Sequence, residues 1–206
     1  MISKRLNVIA SLVDSNKIID IGCDHALLDI YLTNKGINCV AIDNKETVLD
    51  KAKENIKKNN LLDKIKIICS NGLENYNVLG NENVIIAGMG TNTILNIIQN
   101  KEFNKINTLI IQSNNNLYEL RKKICKLGYY IDKEIVIFDK KYYNIIRFKK
   151  GFKKYSYFDY YFGLDMNYEY KKYINNKIYK TYKNIPFKNI IKKIKYKILL
   201  LYIKNC

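Results

Sequence analysis

Lys17-Ile18-Ile19-Asp20-Ile21-Gly22-Cys23-Asp24-His25 is the stretch on which the reading of this chain turns. An apolar run breaks at a glycine, and a helical pattern from His25 to Lys35 follows. A buried strand passing through glycine into a helix opens a parallel sheet. Upstream, Leu6, Ile9, Leu12 and Val13 recur at helical spacing until Asp14-Ser15-Asn16. Downstream, Gly36 closes the crossover helix, 37–42 reads as a strand ending at Asp43, and 47–60 as a helix. A third strand, 65–69, runs into Ser70-Asn71-Gly72, and a fourth, 84–87, into Gly88-Met89-Gly90. A helix over 91–100, a strand over 108–112 and a helix over 117–127 closed by Gly128 come next. Residues 129–138 and 142–149 then read as two strands around Asp139-Lys140-Lys141. Alternating strands and helices imply parallel pairing, and the final pair, with no helix between them, implies an antiparallel hairpin. The expected fold is α/β: a Rossmann-like, seven-stranded, mostly parallel sheet with a terminal antiparallel hairpin.

After Gly151 the pattern changes. Residues 168–183 and 187–203 read as two helices around Asn184-Ile185-Pro186, a small C-terminal helical hairpin. Ile190, Ile191, Ile194, Ile198 and Leu201 are placed to form one apolar seam. The expected division is a domain over 1–150 and an appendage over 151–206. Charge marks the same change. The chain has 206 residues with 36 Lys+Arg against 19 Asp+Glu, a net +17. Residues 1–150 hold 23 basic and 16 acidic side chains, whereas 151–206 hold 13 and 3, with 11 of the 18 tyrosines. A basic segment interleaved with aromatics suits a polyanion, most simply RNA. The Lys, Asn, Ile and Tyr bias also suits an AT-rich genome, and a solvated lysine face remains the plain alternative.

Composition excludes several classes. Hydrophobic residues make up 48%, too many for a disordered chain. The longest apolar run, Ile198 to Ile203, is far short of the ~20 residues that span a bilayer, and no secretory signal is evident. Cysteines at 23, 39, 69, 125 and 206 are odd in number and form no CxxC, which fits apolar filler in a reducing cytoplasm. With one His and no cysteine cluster, no metal site is expected.

Ligands of open parallel sheets bind beyond the carboxyl ends of the strands. At the first, Gly22 lets backbone approach a ligand, and the following helix start offers N–H groups to a carboxylate such as the amino-acid end of S-adenosylmethionine. Asp43, 21 residues after Gly22, suits both hydroxyls of a ribose. Asn71-Gly72 suits an adenine amino group, and Gly88-Met89-Gly90 exposes backbone beside the reacting centre. A nicotinamide dinucleotide is disfavoured. Asp24 and Leu27 stand where its fingerprint needs the second and third glycines, and a pyrophosphate would meet the Asp24 carboxylate. An ammonium group is the better guest for Asp24. Asp20 and Asp24 also suit helix caps, and His25 a structural position in a first turn. Joint placement at four strand ends outweighs each of these singly.

Ser3-Lys4-Arg5-Leu6, DIGCDHALL (20–28), SNGLE (70–74), IAGMG (86–90), Ile111-Gln112 and Tyr161-Phe162-Gly163 resemble the TrmK-type tRNA (adenine-22-N1)-methyltransferases of bacteria. The resemblance spans roughly residues 2–165. It implies a class I methyltransferase domain, S-adenosyl-L-methionine as cofactor, and a C-terminal coiled-coil-like domain that helps hold tRNA. On this reading Gly22, Asp24, His25, Asp43, Asn71, Gly72, Gly88, Met89 and Gly90 bind cofactor. Asp24 stabilises positive charge developing on the base, with His25 as a second catalytic candidate. Arg5, Lys153, Lys154, Lys192 and Lys193 meet RNA, and the protein is expected to be a cytoplasmic monomer. Two departures stand out. Asn71 replaces the family's usual Asp, which predicts weaker cofactor affinity, and Ser113 follows Gln112 where Pro is common. A methyltransferase for a protein or small molecule, and a non-catalytic tRNA-binding protein, are the alternatives.

Overall fold

The computed structural model describes residues 2–205, which leaves Cys206 outside the described residues. The chain divides into two compact units, Met1–Leu164 and Asp165–Cys206.

The first unit runs α1 (Lys4–Ser11), β1 (Lys17–Ile21), α2 (Leu27–Thr33), β2 (Asn38–Asp43), α3 (Glu46–Lys58), β3 (Ile65–Cys69), β4 (Asn83–Met89) and α4 (Thr91–Ile98). A short 3₁₀ turn (Lys101–Lys105), β5 (Thr108–Ser113), α5 (Leu117–Lys126), β6 (Tyr129–Asp139), β7 (Lys141–Lys150) and α6 (Tyr157–Phe162) complete it. Seven strands form one sheet in the order β3-β2-β1-β4-β5-β7-β6. The first five pair in parallel, and β7 enters antiparallel between β5 and β6. The hairpin is tight: Asp139 pairs with Lys141, and Lys140 takes a φ of 63°.

Period-two alternation builds the core on both faces. Ile19, Ile21, Val84, Ile86, Leu109 and Ile111 bury toward one side. Ile18, Cys39, Ala41, Ile85 and Ile110 bury toward the other. Helix α3 shows why the crossovers settle. Leu49, Ala52 and Ile56 bury at helical spacing, while Glu46 begins it and Lys57 and Lys58 end it, matching the helix dipole. The thiols of Cys23 and Cys39 are pushed up by burial, so both pack as small apolar groups.

Three expectations need correction. The helix expected from His25 begins at Leu27, because Asp24 and Ala26 have φ values of 51° and 55° and form a turn first. The boundary expected after residue 150 falls after Leu164. Here a buried ion pair decides the matter. Arg121 of α5 donates to Glu134 of β6 and to the Tyr160 and Tyr161 carbonyls of α6. The second Glu134 oxygen accepts the Leu164 N–H at 3.0 Å. The chain is therefore tied down well beyond the last strand.

The third correction lies in the second unit. It contains α7 (Tyr168–Lys183) and α8 (Ile190–Asn205), which pack together. Asn167 caps α7 by accepting the Tyr170 N–H. The expected seam of Ile190, Ile191, Ile194, Ile198 and Leu201 is exposed instead, Ile191 at 86%. Apolar residues occupy two stripes of α8, and Leu199 and Ile203 take the inside.

Candidate active site

A cavity of about 790 Å³ opens at the carboxyl ends of β1 to β4, where the strand order reverses between β1 and β4. Of the residues selected from the sequence, Gly22, Asp24, Asp43, Asn71, Gly72 and Met89 line it. Val48 of α3 and Thr93, Asn96 and Ile97 of α4 line it too, and sequence reasoning did not select them for the site. His25, Gly88 and Gly90 are not among the lining residues.

Gly22 turns the chain with a φ of 79°, and its N–H and that of Cys23 both donate to the Ile42 carbonyl. A β-carbon there would meet the Met89 ε-methyl at 2.2 Å, so Met89 lies across the glycine. Asp43 stands at the tip of β2. One of its oxygens accepts the Lys45 N–H at 3.1 Å, which fixes the carboxylate at the cavity wall. Asn71 donates its amide nitrogen to Glu74 at 2.7 Å. Because Glu accepts only, this contact sets the amide orientation and leaves the Asn71 carbonyl oxygen as the available acceptor. The departure from Asp thus keeps the group that an adenine amine needs.

The donor set fits S-adenosylmethionine. The lining holds a carboxylate able to accept from hydroxyls and an amide oxygen able to accept from an amine, and Val48, Ile97 and Met89 supply apolar wall. Asp24, at the rim, offers negative charge to an ammonium group, and its side chain is 76% exposed. His25 points its Nε2 to within 3.7 Å of Asp24, and its carbonyl accepts from Asn55 at 3.1 Å. Beneath the turn, Asp20 and Asp29 are buried together. Desolvation, the largest cause, pushes both carboxyls above the usual range, Asp20 to about 7. Each carboxyl is the other's side-chain partner, and a proton kept on the pair lowers the cost of burying it.

Beside Met89 lies a second constellation. The β4–β5 ladder breaks between Ala87 and Met89, and Gly88 bulges there with a φ of 81°. Three residues close a ring on its peptide. The Gly88 N–H donates to Gln112 Oε1 at 3.1 Å, Gln112 Nε2 donates to Asn114 Oδ1 at 3.2 Å, and Asn114 Nδ2 donates to the Gly88 carbonyl at 2.6 Å. Arg5 Nη1 joins at Gln112 Oε1, 2.9 Å away. The Arg5 guanidinium also sits 5.7 Å from the Tyr143 ring centre. Gly90 caps α4 rather than lining the cavity, and the Asn115 side chain accepts the Thr91 N–H at 2.9 Å. Sequence reasoning took Gln112 only as part of a motif and missed Asn114. The signal was the run Ser113-Asn114-Asn115-Asn116, which directly follows a strand end.

The expected RNA-facing lysines are not among the residues that line the cavity. Lys153 and Lys154 follow β7, with Lys153 Nζ 4.4 Å from the Tyr130 ring centre. Lys192 and Lys193 are on α8, where Lys193 lies over the Tyr182 and Phe187 rings. Among the described residues no three His, Cys, Asp or Glu side chains gather as a metal site would need, and no helix is long and apolar enough to cross a membrane.

This strand order, with its cavity at the switch point, is the architecture of class I methyltransferases. A family model described as a methyltransferase domain matches residues 2–146. A Mycoplasma genitalium protein assigned as a tRNA methyltransferase is 37% identical over 161 residues, covering 73% of this chain and 72% of that protein. The structure of M. capricolum TrmK in complex with S-adenosyl-homocysteine aligns with a TM-score of 0.87 and 33% identity, covering 100% of this chain and 97% of that one. Streptococcus pneumoniae Sp1610, assigned as a tRNA (m1A22) methyltransferase and solved with S-adenosyl-L-methionine, aligns with a TM-score of 0.87 and 27% identity, covering 100% and 99%. The chain belongs to the TrmK family of methyltransferases.

Proposed function

We propose that this protein transfers a methyl group from S-adenosylmethionine to N1 of an adenine in tRNA, the adenine at position 22, acting as a cytoplasmic monomer. The observation that carries this is the likeness to M. capricolum TrmK over the whole chain, joined to a cavity whose carboxylate and amide suit that cofactor. The cofactor supplies an electrophilic methyl on a positively charged sulfur. The lone pair of adenine N1 takes that carbon as the carbon–sulfur pair returns to sulfur. No proton is lost, and the product base carries a positive charge. The protein therefore needs no obligatory base; it has to position the reactants and stabilise charge. Asp43 and Asn71 hold the donor's nucleoside, and Gly22 with Asp24 takes its amino-acid end. Asp24 also favours the cationic product, and His25 serves by orienting Asp24. In paired RNA the N1 edge is covered, so the base must leave its stack. Lys153, Lys154, Lys192 and Lys193 supply sequence-independent contact with phosphate.

Incubating the protein with S-adenosylmethionine and unmodified tRNA, then analysing nucleosides by mass spectrometry, tests this. The expected product is 1-methyladenosine at a single position. Label in RNase-treated extract but none in tRNA would replace the reading with a protein or small-molecule substrate. Tight tRNA binding with no cofactor binding would replace it with a non-catalytic role.

A further inference from the structure

The hydrogen-bonded ring on Gly88 has a property beyond holding a bulge. Gln112 is 1% exposed, whereas Gly88 and Asn114 are exposed. A buried polar network thus fixes an exposed surface. Its polarity has one solution. Arg5 and the Gly88 N–H are both pure donors, so the atom of Gln112 they share is its oxygen. The Gln112 nitrogen must then donate, so Asn114 receives with Oδ1 and donates with Nδ2 to the Gly88 carbonyl. Each of these two exposed oxygens, Asn114 Oδ1 and the Gly88 carbonyl, retains a second lone pair. The surface beside Met89 therefore presents two oriented acceptors, with the second Asn114 N–H beside them, and turning either amide over would break its bonds.

We propose that this surface receives the 6-amino group of the target adenine and selects adenine over guanine. The proposal rests on the tRNA adenine-N1 reading and adds the residues that read the base. Adenine presents an amino donor next to N1, whereas guanine presents an oxygen there, which gives up both acceptor contacts and is repelled by the two oxygens. The same contact assists the reaction. Methylation at N1 spreads positive charge onto the amino nitrogen, so acceptors there hold the product-like state more tightly than the reactant. Gln112 and Arg5 are positioning residues that act through Asn114 and Gly88.

The test uses the full chain and tRNA bearing adenosine or purine riboside, which lacks the amino group, at the methylated position. The amino group also makes N1 more nucleophilic, so the ratio of kcat/KM values is compared between proteins. The wild type should prefer adenosine by about 100-fold or more, in the range for a site built to hydrogen-bond its substrate. Asn114→Ala should cut that preference at least tenfold, by the loss of one charge-assisted contact. Gln112→Glu, which removes the donor to Asn114, should also cut it. Cofactor affinity by calorimetry should stay within about twofold in both variants, since neither residue lines the cavity. An unchanged preference in Asn114→Ala, or a loss of cofactor binding that accounts for the whole effect, overturns the proposal. Wild-type protein that makes no 1-methyladenosine overturns the functional reading and the proposal with it. Wild-type protein that makes it but accepts purine riboside equally overturns the proposal alone.

Discussion

Asp43 is the residue whose removal separates binding from folding most cleanly. It stands at a strand tip, and among the described residues its carboxylate is held by the Lys45 N–H. Asp43→Ala should weaken S-adenosylmethionine about 10- to 100-fold, the worth of hydrogen bonds to a charged group, with little change in melting temperature. Calorimetric affinity equal to that of the parent would contradict the assignment. The Asp20–Asp29 pair gives a different test. Their carboxyl pKa values are raised in the folded state, so the favourable contribution is fully present below about 3.8 and declines as pH rises through about 7. Asp29→Asn offers an amide donor in place of the shared proton. The melting-temperature gain of this variant over the parent should therefore grow between pH 5 and pH 8, and a flat difference would reject the shared proton. Gly22, Asp43 and Asn71 were legible in the sequence because each ends a strand with a chemistry that its position explains. Asn114 was not, because its role comes from closing on Gly88, 26 residues earlier, and no local pattern encodes that meeting.

Elements built on regular period were equally readable. The strands were legible as short apolar runs bounded by glycine and polar residues, and the crossover helices as helical repeats. Helix α6 was not readable, since Tyr157–Phe162 is nearly all aromatic and shows no polar face. What holds it is Arg121 from α5 and Glu134 from β6, both with no side-chain exposure. Removing one partner strands the other's charge in the interior. Glu134→Gln should lower stability by about 3–5 kcal/mol in chemical denaturation, and a change under about 1 kcal/mol would show that the pair is dispensable. Helix α8 offers the opposite case. Its sequence held two apolar stripes of similar strength, and periodicity alone did not say which one turns inward. Leu199→Ala should cost about 2–5 kcal/mol of the second unit's stability, while Ile191→Ser should fall within about 0.5 kcal/mol of the parent. Equal effects would contradict the burial of Leu199 in the second unit.

At the scale of the whole molecule, charge is divided as sharply as structure. Residues 165–206 carry 11 lysines and 2 acidic residues. A protein ending at Leu164 should bind S-adenosylmethionine like the full chain but lose most of its tRNA affinity. Full-chain affinity for tRNA should fall steeply with salt as phosphate counterions are released. Filter binding at several salt concentrations checks both, and undiminished tRNA binding by the shortened protein would move the RNA contact to the sheet-bearing unit. The composition shift at Gly151 pointed to an earlier boundary, because composition registers where lysine and tyrosine begin and not where the chain is last tied down. That tie, the Arg121–Glu134 lock, lies wholly within the first unit. The first unit is thus closed by contacts of its own as far as Leu164. On the proposed reading, grip and chemistry are left open to separate evolutionary tuning.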